Sequence, residues 1–323
     1  MPKGIRIHKT GGPEVLSVED LPHVDPGPGQ VLLKHHAIGL NFVDTYYRSG
    51  HYPTELPFVP GGEAAGEVIA LGKGAKLFKE GDRVAYAGPL GAYAQERVID
   101  ERMLVKLPKQ ISYETGAAMM LKGLTAQYLL RRTYKVRKGD VILVHAAAGG
   151  VGSILCQWAN WLGAEVIGTA GTKEKAKLAK RYGARHVILY RTEDFVSRVR
   201  KITKGGLCAV VYDGVGKATF PASLDCLRPF GMFVSFGSAS GPIEAFDLGM
   251  LSRKGSLYAT RPTLFTHTAN RETLEEMASE LMHVVSKGHV EIPVHATYPL
   301  ERAADAQRAL EARETTGATV LIP

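Results

Sequence analysis

Residues 141–152 read VILVHAAAGGVG, and the architecture of the chain follows from that run. Val141 to Val144 is an unbroken apolar stretch of strand length, as expected for a strand covered on both faces of a sheet. Ala147-Ala148-Gly149-Gly150-Val151-Gly152 follows as A-x-G-x-x-G, a variant of the dinucleotide-binding fingerprint. Beyond it Val151, Ile154, Leu155, Trp158 and Leu162 recur at helical spacing until Gly163 ends the run. Strand, glycine turn and helix in that order let backbone approach a pyrophosphate and aim helix N–H groups at it. The bland alternative is a tightly packed turn that binds nothing. The assignment of Ala148, Gly149, Gly150, Val151 and Gly152 to a dinucleotide therefore leans on the rest of the chain.

Downstream, strand-like segments near 165–169, 186–190, 209–212, 232–236 and 257–260 alternate with helices over 173–182 and 195–202. This grammar predicts a Rossmann-type, doubly wound parallel sheet over residues 126–261. Upstream, short runs at 31–35, 67–71, 82–86 and 94–99 lie between turn signals, with Pro-Gly and Gly-Pro pairs at 26–29. They predict an antiparallel, β-rich domain. The tail carries helical patterns over 271–286 and 300–312 and strands near 294–298 and 318–322. It is expected to return to the first domain, so that residues 1–125 and 262–323 form one domain and a ligand cleft lies at its junction with the other.

The 323 residues suffice for two such domains, and 45% hydrophobic with 22% charged residues suits a globular α/β chain. The net charge of +8 is spread along the chain, with no basic arm and no interleaved stacking aromatics. A nucleic-acid partner is therefore not expected. Residues 141–164 contain no Asp, Glu, Lys or Arg, but their glycines, His145 and Asn160 argue against a membrane span. The opening MPKGIRIHKT lacks the apolar core of a signal peptide, and the cytoplasm is the expected location. Cys156, Cys208 and Cys226 are too far apart for a closely spaced zinc cluster and are expected to pack as thiols.

The second strand of the parallel sheet separates NAD from NADP binders, because an Asp or Glu about 20 residues after the glycine turn bonds the ribose 2′-hydroxyl of NAD. Here that strand ends Gly168-Thr169-Ala170-Gly171-Thr172, with Lys173 and Lys175 beyond. A carboxylate at the strand end would repel a 2′-phosphate, whereas Gly171, Thr172 and Lys175 can receive one. NADPH is the expected cofactor. The competing reading puts these lysines on a solvated helix face with Lys177, Lys180 and Arg181.

With the motifs placed, the chain resembles the medium-chain dehydrogenase/reductase superfamily over essentially its whole length, and within it the NADPH:quinone reductases of the zeta-crystallin-like branch. The segments that carry the likeness are AIGLNFVDTYYRSGHYP (37–53), PGGEAAGEV (60–68), LKGLTAQYLL (121–130), HAAAGGVGS (145–153), YDGVG (212–216), VSFG (234–237) and TTGATVLIP (315–323). The resemblance implies a GroES-like catalytic domain, closed by the tail, beside the Rossmann domain, and a homodimer paired near residues 255–260. Zinc-dependent members hold their metal at positions corresponding here to Asn41, Gly62 and Leu121, which cannot form a soft N/S site. Metal-free chemistry is expected. His35, His36 and His51 do not restore a metal site and are expected to serve packing, surface or substrate contacts.

By the same resemblance Asn41 and Tyr46 border the nicotinamide, with Tyr52 and Arg261 as substrate-side candidates. Thr125, Tyr190, Phe236, Gly237 and Arg313 join Lys175 and the glycine turn around the cofactor. Packing is an equal alternative for Tyr46, a surface ion pair for Arg313, and structural hydrogen bonding is favoured for Asp44 and Glu63. Without a Lewis acid, an acceptor that delocalises incoming electrons onto oxygen is favoured. The expectation is NADPH-dependent quinone reduction in the interdomain cleft. Reduction of alkenals or enones is the alternative within enzymes, and an RNA-binding, crystallin-like role is the alternative outside them.

Overall fold

The computed structural model describes residues 1–312, 314–315 and 317–323. The chain opens with an antiparallel ribbon of β1 (Lys3–Arg6) and β2 (Ser17–Asp20). β3 (Gln30–Leu40) then enters a larger sheet and runs directly into a short helix, α1 (Phe42–Arg48). β4 (Glu63–Leu71), β5 (Arg83–Ala87), β6 (Glu96–Asp100) and β7 (Val105–Lys106) complete the antiparallel part, and α2 (Tyr113–Tyr128) follows. β3 pairs antiparallel with both β4 and β6, placing Leu33 opposite Val68 on one side and Arg97 on the other.

No helical period in the sequence predicts α1 or α2. Phe, Val, Thr and Tyr dominate α1, and these residues favour strands, so the Asn41–Asp44 capping box is the main local signal for the helix. In α2 the residues Ala117, Ala118, Met119, Met120, Leu124 and Ala126 are all buried, so no single apolar stripe marks the helical period.

The chain forms two compact units, Met1–Leu124 with Thr268–Ser286 and Ile292–Pro323, and Thr125–His267 with Lys287–Glu291. The sequence-based boundary at 261/262 lies a few residues before the observed one, and 287–291 group with the second unit.

In the second unit β8 (Val141–Val144), α3 (Gly150–Trp161), β9 (Glu165–Ala170), α4 (Lys173–Arg181), β10 (His186–Leu189), α5 (Phe195–Ile202), β11 (Cys208–Asp213) and β12 (Leu227–Ser235) alternate, and α6 (Gly249–Arg253), β13 (Tyr258–Thr260) and α7 (Leu264–His267) end it. The six strands are parallel in the order β10-β9-β8-β11-β12-β13, so the chain reverses direction across the sheet at β8. The carboxyl end of that strand is where such sheets bind ligands. Leu143, Ile167, Ile188, Val211 and Phe233 form the centre of this unit's core.

The tail returns to the first unit with α8 (Arg271–Ser286), β14 (Val294–Pro299), α9 (Ala303–Glu311) and β15 (Ala318–Ile322). β15 lies antiparallel to β3, with Leu321 opposite Ile38, and β14 lies parallel to β15. Leu300, Ala303, Ala306 and Leu321 complete the core built on Leu33, Ile38, Val68 and Tyr86. The β-rich domain closed by the tail and the doubly wound sheet are both as expected. Among the described residues no helix is long and apolar enough to cross a membrane.

Candidate functional site

The glycine turn of the second unit is shaped by close approach. A Cβ on Gly152 would lie 2.3 Å from Ala146 O and 3.0 Å from Ala147 Cα, so only hydrogen fits between α3 and the turn. Ala147 in turn would crowd a Cβ on Gly168 of β9, at 2.6 Å. Ala146 takes a left-handed φ of 52°, which lets its carbonyl accept from Gly149 N at 2.8 Å. Gly149 is exposed at the tip and caps α3 without any side-chain hydrogen bond, and α3 has no acidic residue in its first turn. Gly150, Val151 and Gly152 thus start a helix whose first amides meet no carboxylate, while Ala148 is buried behind them. This cradle fits a pyrophosphate.

Beside the turn, β9 ends at Ala170, and Gly171 and Thr172 lead into α4. Thr172 caps that helix by accepting Lys175 N at 3.2 Å. A Cβ on Gly171 would meet the Tyr190 hydroxyl at 2.8 Å and Arg191 Nε at 3.5 Å. Gly171, Thr172, Lys175, Tyr190 and Arg191 therefore form one group, with Tyr190 and Arg191 exposed. Arg191 carries no signal in the sequence, since it follows a different strand. Glu174 lies between Lys173 and Lys175. Hydrogen bonds from its own N–H and the Thr172 hydroxyl hold its carboxyl below the usual range, so it is an anion at this helix start.

At the ends of β11 and β12, Asp213 is fully buried and accepts Val215 N at 2.7 Å, Gly216 N at 3.1 Å and the Thr219 hydroxyl at 2.6 Å. It shapes the DGVG turn. Phe236 N bonds Asp213 O at 2.8 Å, and the Phe236 ring lies 3.0 Å from where Gly214 would carry a Cβ. Arg261 reaches the same strand end and donates to Gly237 O at 3.2 Å and Ser235 O at 3.3 Å. It is grouped with Phe236 and Gly237. Thr125 hydrogen-bonds Tyr128, whose burial pushes its hydroxyl up to about 12 and whose ring stacks on His267. Arg313 lies outside the described residues.

In the first unit Asn41 precedes α1 and is 5% exposed. Its N–H donates to Asp44 Oδ2 at 2.9 Å, which also accepts the Tyr93 hydroxyl at 2.9 Å. Burial raises the Asp44 carboxyl to about 7, against the opposing pull of these hydrogen bonds and of Lys122. The Asn41 amide donates to Glu63 Oε2 at 2.7 Å and accepts Lys122 Nζ at 2.6 Å. Tyr46, half-buried on α1, packs edge-on against Phe42, His51 and Tyr52 at centroid distances of 5.3–5.6 Å. Asn41, Tyr46 and Tyr52 thus belong to one short helix and the turn after it. Arg48 clamps the other end of α1, donating to Gln307 Oε1 and Glu311 Oε1 at 2.6 Å each.

Gly62 admits no side chain without movement, because a Cβ there would lie 2.7 Å from Gly88 O. Among the described residues no group of three His, Cys, Asp or Glu side chains is placed to hold a metal. His35 bonds Ala94 O and the Tyr86 hydroxyl, and burial lowers it to about 4. His36 stacks on Tyr113, so both serve packing, whereas exposed His51 stacks on Tyr52. Lys122 carried no signal in the sequence, since its partners Asn41 and Glu63 lie 81 and 59 residues away.

Residues 27–109 match the family described as alcohol dehydrogenase GroES-like domain, and residues 150–283 match the one described as zinc-binding dehydrogenase. The chain is 53% identical to a quinone oxidoreductase of Pseudomonas aeruginosa, covering 100% of both. It superposes with a TM-score of 0.97 on the crystal structure of Escherichia coli quinone oxidoreductase complexed with NADPH, at 48% identity over 99% of this chain and 100% of that one. A 2-haloacrylate reductase of Burkholderia sp. is 47% identical over 98% of each chain.

Proposed function

Since the chain belongs to the quinone oxidoreductase family of medium-chain dehydrogenases/reductases, we propose that it reduces quinones with NADPH by direct hydride transfer, without a metal. One observation carries the reading. A chain matched end to end to such relatives combines a glycine-turn helix with no acidic residue in its first turn and a second strand that ends without a carboxylate at Ala170-Gly171-Thr172, with Lys175 beyond it and Arg191, just past the next strand, beside Gly171. The first turn of α3 holds the pyrophosphate of NADPH, with Lys175 and Arg191 on its 2′-phosphate and Tyr190 against the adenosine. Phe236 and Gly237 line the cofactor's path. Asn41, Tyr46 and Thr125 serve its nicotinamide end, Tyr52 and Arg261 face the acceptor, and Arg313 supplies a late cofactor contact.

NADPH supplies the hydride from its nicotinamide C4. The protein's task is to hold that carbon against the acceptor and to exclude water. A quinone takes one hydride and one proton to become a hydroquinone, leaving NADP+. Purified protein is expected to oxidise NADPH, followed at 340 nm, with 1,4-benzoquinone and 9,10-phenanthrenequinone. No turnover with either would remove the proposal. The likeness to a 2-haloacrylate reductase supports a second reading, reduction of a conjugated C=C bond. Comparing kcat/KM for 2-chloroacrylate, an alkenal and the quinones on one preparation separates the two.

A homodimer joined through the sheet edge at β13 belongs to the same proposal, supported by the exposure of Tyr258 and of Phe230, which bonds Gly255 beside that edge. A cytoplasmic location is supported by three buried, unpaired cysteines.

A further inference from the structure

The Lys122 ammonium has three acceptors, Asn41 Oδ1 at 2.6 Å, Leu40 O at 3.3 Å and Glu63 Oε2 at 3.4 Å. This arrangement fixes the Asn41 amide. Its oxygen faces the ammonium and its nitrogen donates to Glu63 Oε2, whereas the flipped amide would set NH2 against ammonium and oxygen against carboxylate. The other carboxylate oxygen, Glu63 Oε1, is committed to Leu121 N at 2.7 Å. Gly39 makes room for the cluster, since a Cβ there would lie 2.4 Å from Glu63 Oε2 and 2.2 Å from Ala117 O. The Glu63 side chain is fully buried and that of Lys122 only 12% exposed, so water screens the pair weakly and neither charge is tolerated alone.

We propose that Lys122 is a positioning residue for hydride transfer: it locks the Asn41 amide in one orientation and holds Glu63 charge-paired, so that the nicotinamide end of the site meets a fixed dipole. The inference rests on the reading of Asn41 as bordering the nicotinamide. Three segments that are distant in sequence build the lock, namely the end of β3, the start of β4 and α2. None of them belongs to the glycine turn, so the lock can be opened without touching the pyrophosphate cradle.

The test compares N41A, N41A/E63Q/K122M and E63Q/K122M. The last removes both buried charges together, so that an unpaired Glu63 cannot by itself prevent folding. In the protein without cofactor, E63Q/K122M is expected to melt near the wild type, while hydrogen exchange of the Asn41 side-chain amide, followed by NMR, speeds up. With NADPH and 1,4-benzoquinone its kcat is expected to fall roughly 10- to 100-fold with KM little changed, the loss typical of a misplaced reacting group. N41A/E63Q/K122M is expected to be no slower than N41A, because without the Asn41 amide the lock has nothing left to hold. Wild-type kcat in E63Q/K122M, unchanged amide exchange, or losses that multiply in N41A/E63Q/K122M would each overturn the assignment. Should N41A turn over like the wild type, the reading of Asn41 fails, while amide exchange still reports whether Lys122 makes the lock.

Discussion

Asp44 combines full burial with two hydrogen-bond donors on one oxygen, and burial is the stronger influence, raising its carboxyl to about 7. A raised carboxyl favours the folded state only while protonated. Its contribution is full below the ordinary value of 3.8 and is lost as pH rises through about 7. D44N, which cannot ionise, is therefore expected to gain on the wild type between pH 5 and pH 8 by roughly 2–3 kcal/mol. Parallel denaturation midpoints for the two proteins across that range would contradict it. Lys175 makes the cofactor claim testable at the same scale. K175E sets a carboxylate beside Glu174 where the 2′-phosphate would lie, and is expected to weaken NADPH at least about tenfold while leaving NADH nearly unchanged. Fluorescence titration with both nucleotides reads this, and equal losses would remove the 2′-phosphate assignment. The missing carboxylate was legible in the sequence. Arg191 was not, because it reaches Gly171 only when β10 lies against β9.

Among the elements, β8, its glycine turn and α3 could be read directly, since an apolar run, small residues and a helical stripe each have a local cause. α1 could not. Seven residues rich in aromatic and β-branched side chains hold a helix because a local capping box starts it and residues distant in sequence tie its far end. Asn41 N bonds Asp44 at the start, and Arg48 joins Gln307, Glu311 and Gly11 O at the finish. R48M breaks that clamp and leaves Gln307 and Glu311 without their cation. It is expected to cost about 3 kcal/mol of unfolding free energy, measurable by urea denaturation. Because α1 carries Tyr46, the same variant is expected to lower quinone turnover at temperatures where it remains folded. Unchanged stability would mean that the packing of α9 holds α1 without the arginine.

For the molecule as a whole, the six-stranded parallel sheet leaves β13 as an edge, and Tyr258 on it is 57% exposed while Phe230 nearby is 70% exposed. An unpaired edge flanked by exposed aromatic rings invites a second copy. Light scattering on the eluted wild-type protein is expected to give twice the monomer mass, and Y258D, which places a charge on that edge, is expected to shift it toward the monomer. A wild-type monomer at micromolar concentration would remove the dimer proposal.

The sequence by itself determined the order of strands and helices in the second unit, the glycine turn, the missing carboxylate after β9 and the absence of metal-binding side chains at Asn41, Gly62 and Leu121. These features are local, set by periodicity or by the chemistry of a single residue. Only the tertiary structure decided what surrounds Asn41. Lys122, Glu63 and Tyr93 reach it or its neighbour Asp44 from separate segments, and burial, not spacing, gives these charges and hydrogen bonds their strength. No pattern along the chain encodes that, because the low dielectric that makes the cluster matter exists only once β3, β4 and α2 have packed.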